Sequence, residues 1–336
     1  MATQVASEQS NATTPSMTGH QAVDSTYSSE CMAVLYERVR AVLASLPGEA
    51  VAADALSLES LGPAPQVPPW LLLPIWVDEA WRAHGTQAVR QEALEEILWG
   101  QYSLFLHVRI QDDIFDGQRD DLRLVFAADR FLIESLEAFT SFPALSGEFQ
   151  TFYLQCLRDT VDGILEVSRL EAEAGRFGIN DLVLHSRVGA IFKIGVAAVS
   201  HLHQRSADLG WLTSLLDLVA VFSQIGDDVQ DLAQDLNAGR FTWVGNTLLG
   251  VRPGDAITRS EMSSRLSDGL MLDRGQVVIE ELRRIALAAA AIVPDTAPLP
   301  LRDFVLSLGK HPGRLEQDLH AARVRHVFGE LVPVRN

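Results

Sequence analysis

Carboxylates recur at helical spacing inside two of the most apolar stretches of this 336-residue chain. One stretch ends in Asp112-Asp113-Ile114-Phe115-Asp116; the other delivers Asp227-Asp228-Val229-Gln230-Asp231, with Asp235 one turn further on. Side chains four residues apart share a helix face, so Asp112 and Asp116 lie together, and Asp227, Asp231 and Asp235 form a longer stripe. Like charges stacked in this way repel. A helix keeps them cheaply only if water solvates them fully or cations neutralise them, and hard divalent ions such as magnesium prefer carboxylate oxygens. The fold must therefore bring both acidic turns either to solvent or to metal, and the second case predicts a metal-dependent phosphate site.

The surroundings favour metal. The first cluster follows Ile97, Leu98, Leu104, Phe105, Leu106, Val108 and Ile110 and falls at the C-terminal end of its expected helix, where the helix dipole disfavours anions unless a cation is bound. The second follows Leu215, Leu216, Leu218, Val219, Val221, Phe222 and Ile225, interrupted only by Ser223 and Gln224, so its helix reads as nearly buried on all sides. Burying four carboxylates without cations would be prohibitive.

Composition narrows the classes of function. A formal net charge of -17 argues against nucleic acid or an anionic membrane surface as a partner, and an anionic substrate would need bridging cations or a local basic pocket. Cys31 and Cys156 lie far apart without metal-ligand spacing, which suits reduced thiols in a cytoplasmic protein. Residues 1–29 are rich in Ser, Thr, Gln and Asn and are expected to form a disordered tail without a secretory signal. No uninterrupted apolar run reaches the roughly 18 to 20 residues of a membrane span, so no membrane insertion is expected.

Beyond the tail, apolar residues recur every three or four positions, and Gly or Pro punctuates segments long enough for helices. The pattern predicts one all-α domain over 30–336, a helical bundle. Its expected helices run over 30–45, 68–84, 87–117, 121–141, 145–173, 179–206, 209–237, 255–292 with a break near 270, 299–309 and 312–330. Irregular connections are expected over 46–69, after Gly239 and over 294–300. With 47% hydrophobic residues the chain has ample material for a core.

Asp-Asp-x-x-Asp on one helix, followed far downstream by Gln224-Ile225-Gly226-Asp227-Asp228-Val229-Gln230-Asp231, then Asp235 and Gly239-Arg240, resembles the isoprenoid synthase superfamily. Within it, the likeness is to the trans-isoprenyl diphosphate synthases and to the class I terpene synthases built on the same fold. It runs from about residue 65 to 250. The resemblance implies a bundle around a central cavity, site residues by position, and a homodimer. Three magnesium ions would lie between the facing clusters and clamp a prenyl diphosphate, a small-molecule substrate. Asp112 and Asp116 would bind metal, with Asp113 more remote; Asp227, Asp231 and Asp235 would hold the remaining ion. Ser186-Arg187-Val188-Gly189-Ala190-Ile191-Phe192 resembles the family's Lys-Thr-Ala-x-Leu-Phe helix, which places Arg187 on the diphosphate and among the catalytic residues with Asp112, Asp116 and Asp227. Arg240 and Arg325 (or its neighbour Arg323) are further diphosphate candidates, and Lys193, well round the helix, is a candidate to share the role of Arg187.

Chain-elongating members also bind isopentenyl diphosphate, through an early Gly-Lys-Arg motif and an Arg-Arg pair after the first aspartates. Here the early region reads Pro68-Pro69-Trp70-Leu71-Leu72-Leu73-Pro74, and Asp121-Leu122 stands where Arg-Arg is expected. Losing several charge-assisted contacts of about 1.5–3 kcal/mol each disfavours a second anionic substrate. The resemblance then implies a magnesium-dependent class I terpene synthase, a carbon-oxygen lyase acting on farnesyl or geranylgeranyl diphosphate. Chain elongation is the alternative, and an inactive regulatory subunit a third reading. Phe105, Phe115, Phe192, Phe222 and Trp76 are candidate cavity walls, Gly189 and Gly195 candidate helix breaks, and His107 either tunnel floor or hydrogen-bonded core. His201 and His203 are expected to be exposed.

Overall fold

The computed structural model describes residues 25–46 and 69–331, apart from 84, 88, 116–120, 122, 146, 272 and 298. Among these residues every regular element is a helix. They run α1 (Ser25–Ser45), α2 (Pro69–Ala83), α3 (Gln91–Phe115), α4 (Leu124–Thr140), α5 (Glu148–Glu171), α6 (Leu184–Val188), α7 (Lys193–Leu202), α8 (Leu209–Ala238), α9 (Trp243–Leu249), α10 (Arg259–Met271), α11 (Arg274–Ile292), α12 (Leu299–Leu308) and α13 (His311–Leu331). The all-α expectation holds. Helix α1 starts at Ser25, inside the segment expected to be a tail, and the expectation for 1–24 lies outside the described residues.

Helices α3 and α8 are the long apolar rods that carry the acidic turns. Ile97, Leu98, Leu104, Leu106 and Ile110 of α3 and Leu212, Leu215, Leu216, Phe222 and Ile225 of α8 are buried in one continuous core. Segments 179–202 and 206–238 are each long and apolar enough to cross a membrane; 61% of the most apolar stretch of the first and 44% of that of the second is buried against neighbouring helices. Their apolar content serves packing.

The helix expected over 179–206 is broken. Short 3-10 turns, Ile179–Val183 and Gly189–Phe192, flank the single α-helical turn α6 before α7 begins. Two contacts explain the break. The Thr160 hydroxyl of α5 donates to the carbonyls of Arg187 and Val188, at 3.2 and 3.3 Å, and so draws on acceptors a continuous helix would use internally. Gly189 lies against α8 so closely that a Cβ there would come within 2.5 Å of the Ala220 Cβ. Further on, a Cβ at Gly195 would meet the Gln101 Oε1 at 1.9 Å and the Pro74 Cγ at 2.9 Å, so a side chain there would have to displace Gln101 and press on α2.

One helix was not expected. Helix α9 follows Gly239, where irregular chain was predicted; Thr242 caps it by accepting the Gly245 N–H at 3.2 Å. Gly239 itself takes a left-handed conformation with φ 78°, ending α8 and folding Arg240 back, so that the Arg240 amide donates to the Asp235 carbonyl at 2.8 Å.

The expectation that His203 is exposed is also corrected. It is buried at the end of α7, where Nε2 lies 2.8 Å from the Asp78 Oδ1 of α2 and Nδ1 lies 2.8 Å from the Thr86 hydroxyl. His201 is half-buried, with its ring against that of Phe149. A buried imidazole is tolerated when both nitrogens are paired, and the partners come from residues more than a hundred positions away.

Candidate active site

The two acidic turns face one cavity of about 550 Å³. Asp112 and Arg109 reach it from α3; Asp227, Asp228, Asp231 and Asp235 from α8; and Arg240 from the turn beyond. The rest of the wall is mostly apolar, including Phe105, Val108, Val167, Ile191, Phe192 and Val219. A polar alcove of Ser168, Glu171, His185, Gln224 and Thr242 completes it.

The four carboxylates of α8 divide in two, which corrects the expectation that all are buried together. Asp227 and Asp231 are open to solvent through the cavity, whereas Asp228 and Asp235 are buried. The enclosing walls, followed by the neighbouring charge of Asp231, push the Asp227 carboxyl up to about 6, while Arg109 pulls it down. Burial, with Asp235 and Asp227 nearby, pushes Asp228 up to about 7 against the hydrogen bond its Oδ1 accepts from Gln224 at 3.0 Å. Asp235 is held by Arg240, whose Nε and Nη2 donate to one carboxylate oxygen at 3.1 and 2.6 Å. Thus the last aspartate of the stripe is already engaged by an arginine.

On α3, Asp112 is half-exposed and Asp113 buried. Arg109 lies 3.2 Å from Asp113 through Nε and 3.9 Å from Asp112 through Nη1. Asp116 lies outside the described residues. Among the described residues, no three His, Cys, Asp or Glu side chains converge closely enough to enclose an ion by themselves. The donor set nevertheless suits magnesium, which takes one or two carboxylates and completes its shell with water and phosphate oxygens. Asp227 and Asp231, mutually repelling and open to the cavity, are carboxylates that a cation would stabilise.

Arg187 is not brought to the cavity. Gly163 packs against the Arg187 Cβ, and the guanidinium pairs at the surface with Asp162 at 3.3 Å. Lys193 is likewise turned away, to Asp217 at 2.5 Å, and Arg323 lies 3.9 Å from Asp273. The Arg325 side chain is outside the described residues. Of the candidate aromatics, Phe105 and Phe192 line the cavity and lie near each other, with ring centroids 6.5 Å apart. Phe222 packs on His311 and Trp76 on Phe304 in the core, and Phe115 is exposed. His107 is the hydrogen-bonded alternative, with Nδ1 3.0 Å from the Ala128 carbonyl.

Among the cavity residues that sequence reading missed are Arg109 and His185. The first was legible: positively charged residues three and four positions before aspartates pair with them on a helix. The second was not. His185 is 3% exposed beside Phe177, its Nε2 has no hydrogen-bond partner, and burial lowers it to about 4, so it is neutral. Cys156 is buried and its thiol is pushed up to about 12, which makes it unreactive.

No protein-family model and no curated protein matches the sequence. Solved structures do match. Heptaprenyl diphosphate synthase from Staphylococcus aureus shares 14% identity over 84% of this chain and 98% of its own, with TM-score 0.63. A polyprenyl synthase from Caulobacter crescentus, complexed with calcium and isoprenyl diphosphate, shares 13% identity over 85% and 95%, with TM-score 0.65. Geranylgeranyl pyrophosphate synthetase from Geoglobus acetivorans shares 14% over 84% and 98%, with TM-score 0.65. The fold is therefore that of the trans-isoprenyl diphosphate synthases, across most of the chain and at low identity.

Proposed function

We propose that this protein is a magnesium-dependent enzyme that ionises a linear prenyl diphosphate. The observation that carries this reading is the convergence of Asp112, Asp227 and Asp231, from two helices, on one otherwise apolar cavity. These residues, with Asp116 by its place in the sequence motif, would hold the metal; Asp113 and Asp235 would support it from behind. Magnesium, when bound, supplies Lewis-acid polarisation of the departing diphosphate. Arg240 offers N–H groups from the cavity rim while Asp235 fixes its orientation. Phe105 and Phe192 exclude water from the allylic chain and present ring faces that stabilise positive charge.

Two fates of the cation follow, each supported by a different observation. Among the described residues lining the cavity, Arg109 and Arg240 are the only cationic ones, and both are already paired with aspartates. Asp121 is engaged by Arg123, where the resemblance leads one to expect an arginine pair. This supports internal attack and proton loss, a terpene synthase. The similar solved structures favour the other fate: all three named above are prenyl diphosphate or polyprenyl synthases, which supports addition to isopentenyl diphosphate. Incubation with magnesium and ten-, fifteen- and twenty-carbon prenyl diphosphates, each with and without isopentenyl diphosphate, separates them. Hydrocarbon or alcohol formed without isopentenyl diphosphate establishes the first; longer diphosphates formed only in its presence establish the second. No diphosphate release from any substrate rejects the reading and favours an inactive subunit.

The outer faces of α4 and α5 expose Phe126 and Ile133, and Leu154, Val161 and Leu165, each set at helical spacing. This supports a homodimer. Light scattering is expected to give about twice the chain mass, and a monomer at micromolar concentration would refute it.

A further inference from the structure

Arg109 stands among carboxylates contributed by two helices. It lies three and four positions before Asp112 and Asp113, at 3.9 and 3.2 Å from their oxygens, and its side chain is 43% exposed where it lines the cavity. Its charge also reaches Asp227 on α8. An ordinary surface pair on one helix would not face a second acidic helix across a cavity. A guanidinium in this position holds ground between the acidic turns that a divalent ion would compete for.

Resting on the reading above, we infer that Arg109 is an exchangeable counter-ion: it neutralises the facing acidic turns in the metal-free protein and passes to the diphosphate when metal and diphosphate enter together. The chemistry of arginine fits both positions. The group stays charged at every working pH, and its planar fork matches carboxylate and phosphate oxygens alike. While Arg109 pairs with the aspartates it opposes a second cation; once diphosphate draws it away, the carboxylates are released to metal. Metal and diphosphate thereby favour each other's binding, and by linkage the effect is mutual.

The test is direct binding of manganese to the full chain, followed by electron paramagnetic resonance with and without inorganic diphosphate and corrected for the manganese–diphosphate complex. Without diphosphate, Arg109→Gln is expected to bind manganese about tenfold more tightly than the unaltered protein, because a positive charge a few ångströms from the ion has been removed. The gain in affinity on adding diphosphate is expected to be smaller in the variant. Arg109→Lys keeps the charge but not the fork, so it should retain the weaker manganese binding and lose part of the gain; it also serves if Arg109→Gln does not fold. Equal or weaker manganese binding by Arg109→Gln without diphosphate overturns the counter-ion inference alone. Absence of manganese binding by the unaltered protein even with diphosphate present overturns it together with the proposed function.

Discussion

Asp227→Asn is expected to lower kcat/KM for diphosphate release by about a thousandfold or more, while the protein remains folded. The substitution keeps size and removes the charge from a ligand position open to the cavity. Metal coordination at a breaking bond contributes several kcal/mol of charge stabilisation, and about 4 kcal/mol corresponds to three decades in rate. A release assay on the variant, with circular dichroism as the folding control, checks this; a loss of under about tenfold would remove Asp227 from the metal site. Asp228→Asn should cost less activity, since Asp228 is buried and hydrogen-bonded to Gln224.

The same carboxyls make the protein pH-sensitive. Metal binds the deprotonated form, so at limiting magnesium the activity should rise with pH through about 6, where the enclosed Asp227 ionises. Stability without metal runs the other way. Asp228 is raised in the folded state from 3.8 to about 7, so its contribution is fully present below 3.8 and is lost as pH rises toward 7. His185 opposes this: lowered from 6.5 to about 4, it contributes stability above 6.5 that is lost as pH falls through 4. The difference between the unaltered protein and Asp228→Asn isolates the first effect. In chelator, the advantage of the variant should grow between about pH 4 and pH 7; a constant difference would contradict the buried, raised carboxyl.

Asp78→Ala is expected to cost about 3–5 kcal/mol of folding stability. Asp78 is 2% exposed; its Oδ1 lies 2.8 Å from the His203 Nε2 and accepts the Val89 N–H at 3.0 Å, while Oδ2 pairs with Arg82 at 3.0 Å. Truncation leaves a buried imidazole and a backbone amide without their partner, and removal of one side of a buried network costs more than the network contributes as a whole. Urea unfolding followed by tryptophan fluorescence measures it. A loss below about 1 kcal/mol would mean that water replaces the carboxylate and that the joint between α2 and α7 is not rigid.

Helix periodicity was readable along the chain because apolar spacing is local. That is why α3, α8 and the break between α10 and α11 lie close to where the residues predict them. The interruption of 179–206 was only half legible: Gly189 and Gly195 mark close approaches, but the Thr160 hydroxyl that takes up the Arg187 and Val188 carbonyls comes from another helix. Helix α9 carries a local signal in its Thr242 cap and Gly250 terminus, but seven residues hold too little periodicity to mark a helix.

By itself the sequence determined the all-helical class and the two acidic turns at the ends of apolar rods, since helix phase and burial pattern are properties of neighbouring residues. Only the tertiary structure decided which side chains share the cavity. It drew Arg187 to Asp162, gave Arg240 to Asp235, buried Asp228 beside open Asp227, and left His185 neutral in the wall. Those outcomes depend on which groups from distant parts of the chain come within a few ångströms of a charge or exclude water from it, and no spacing along a single helix encodes that.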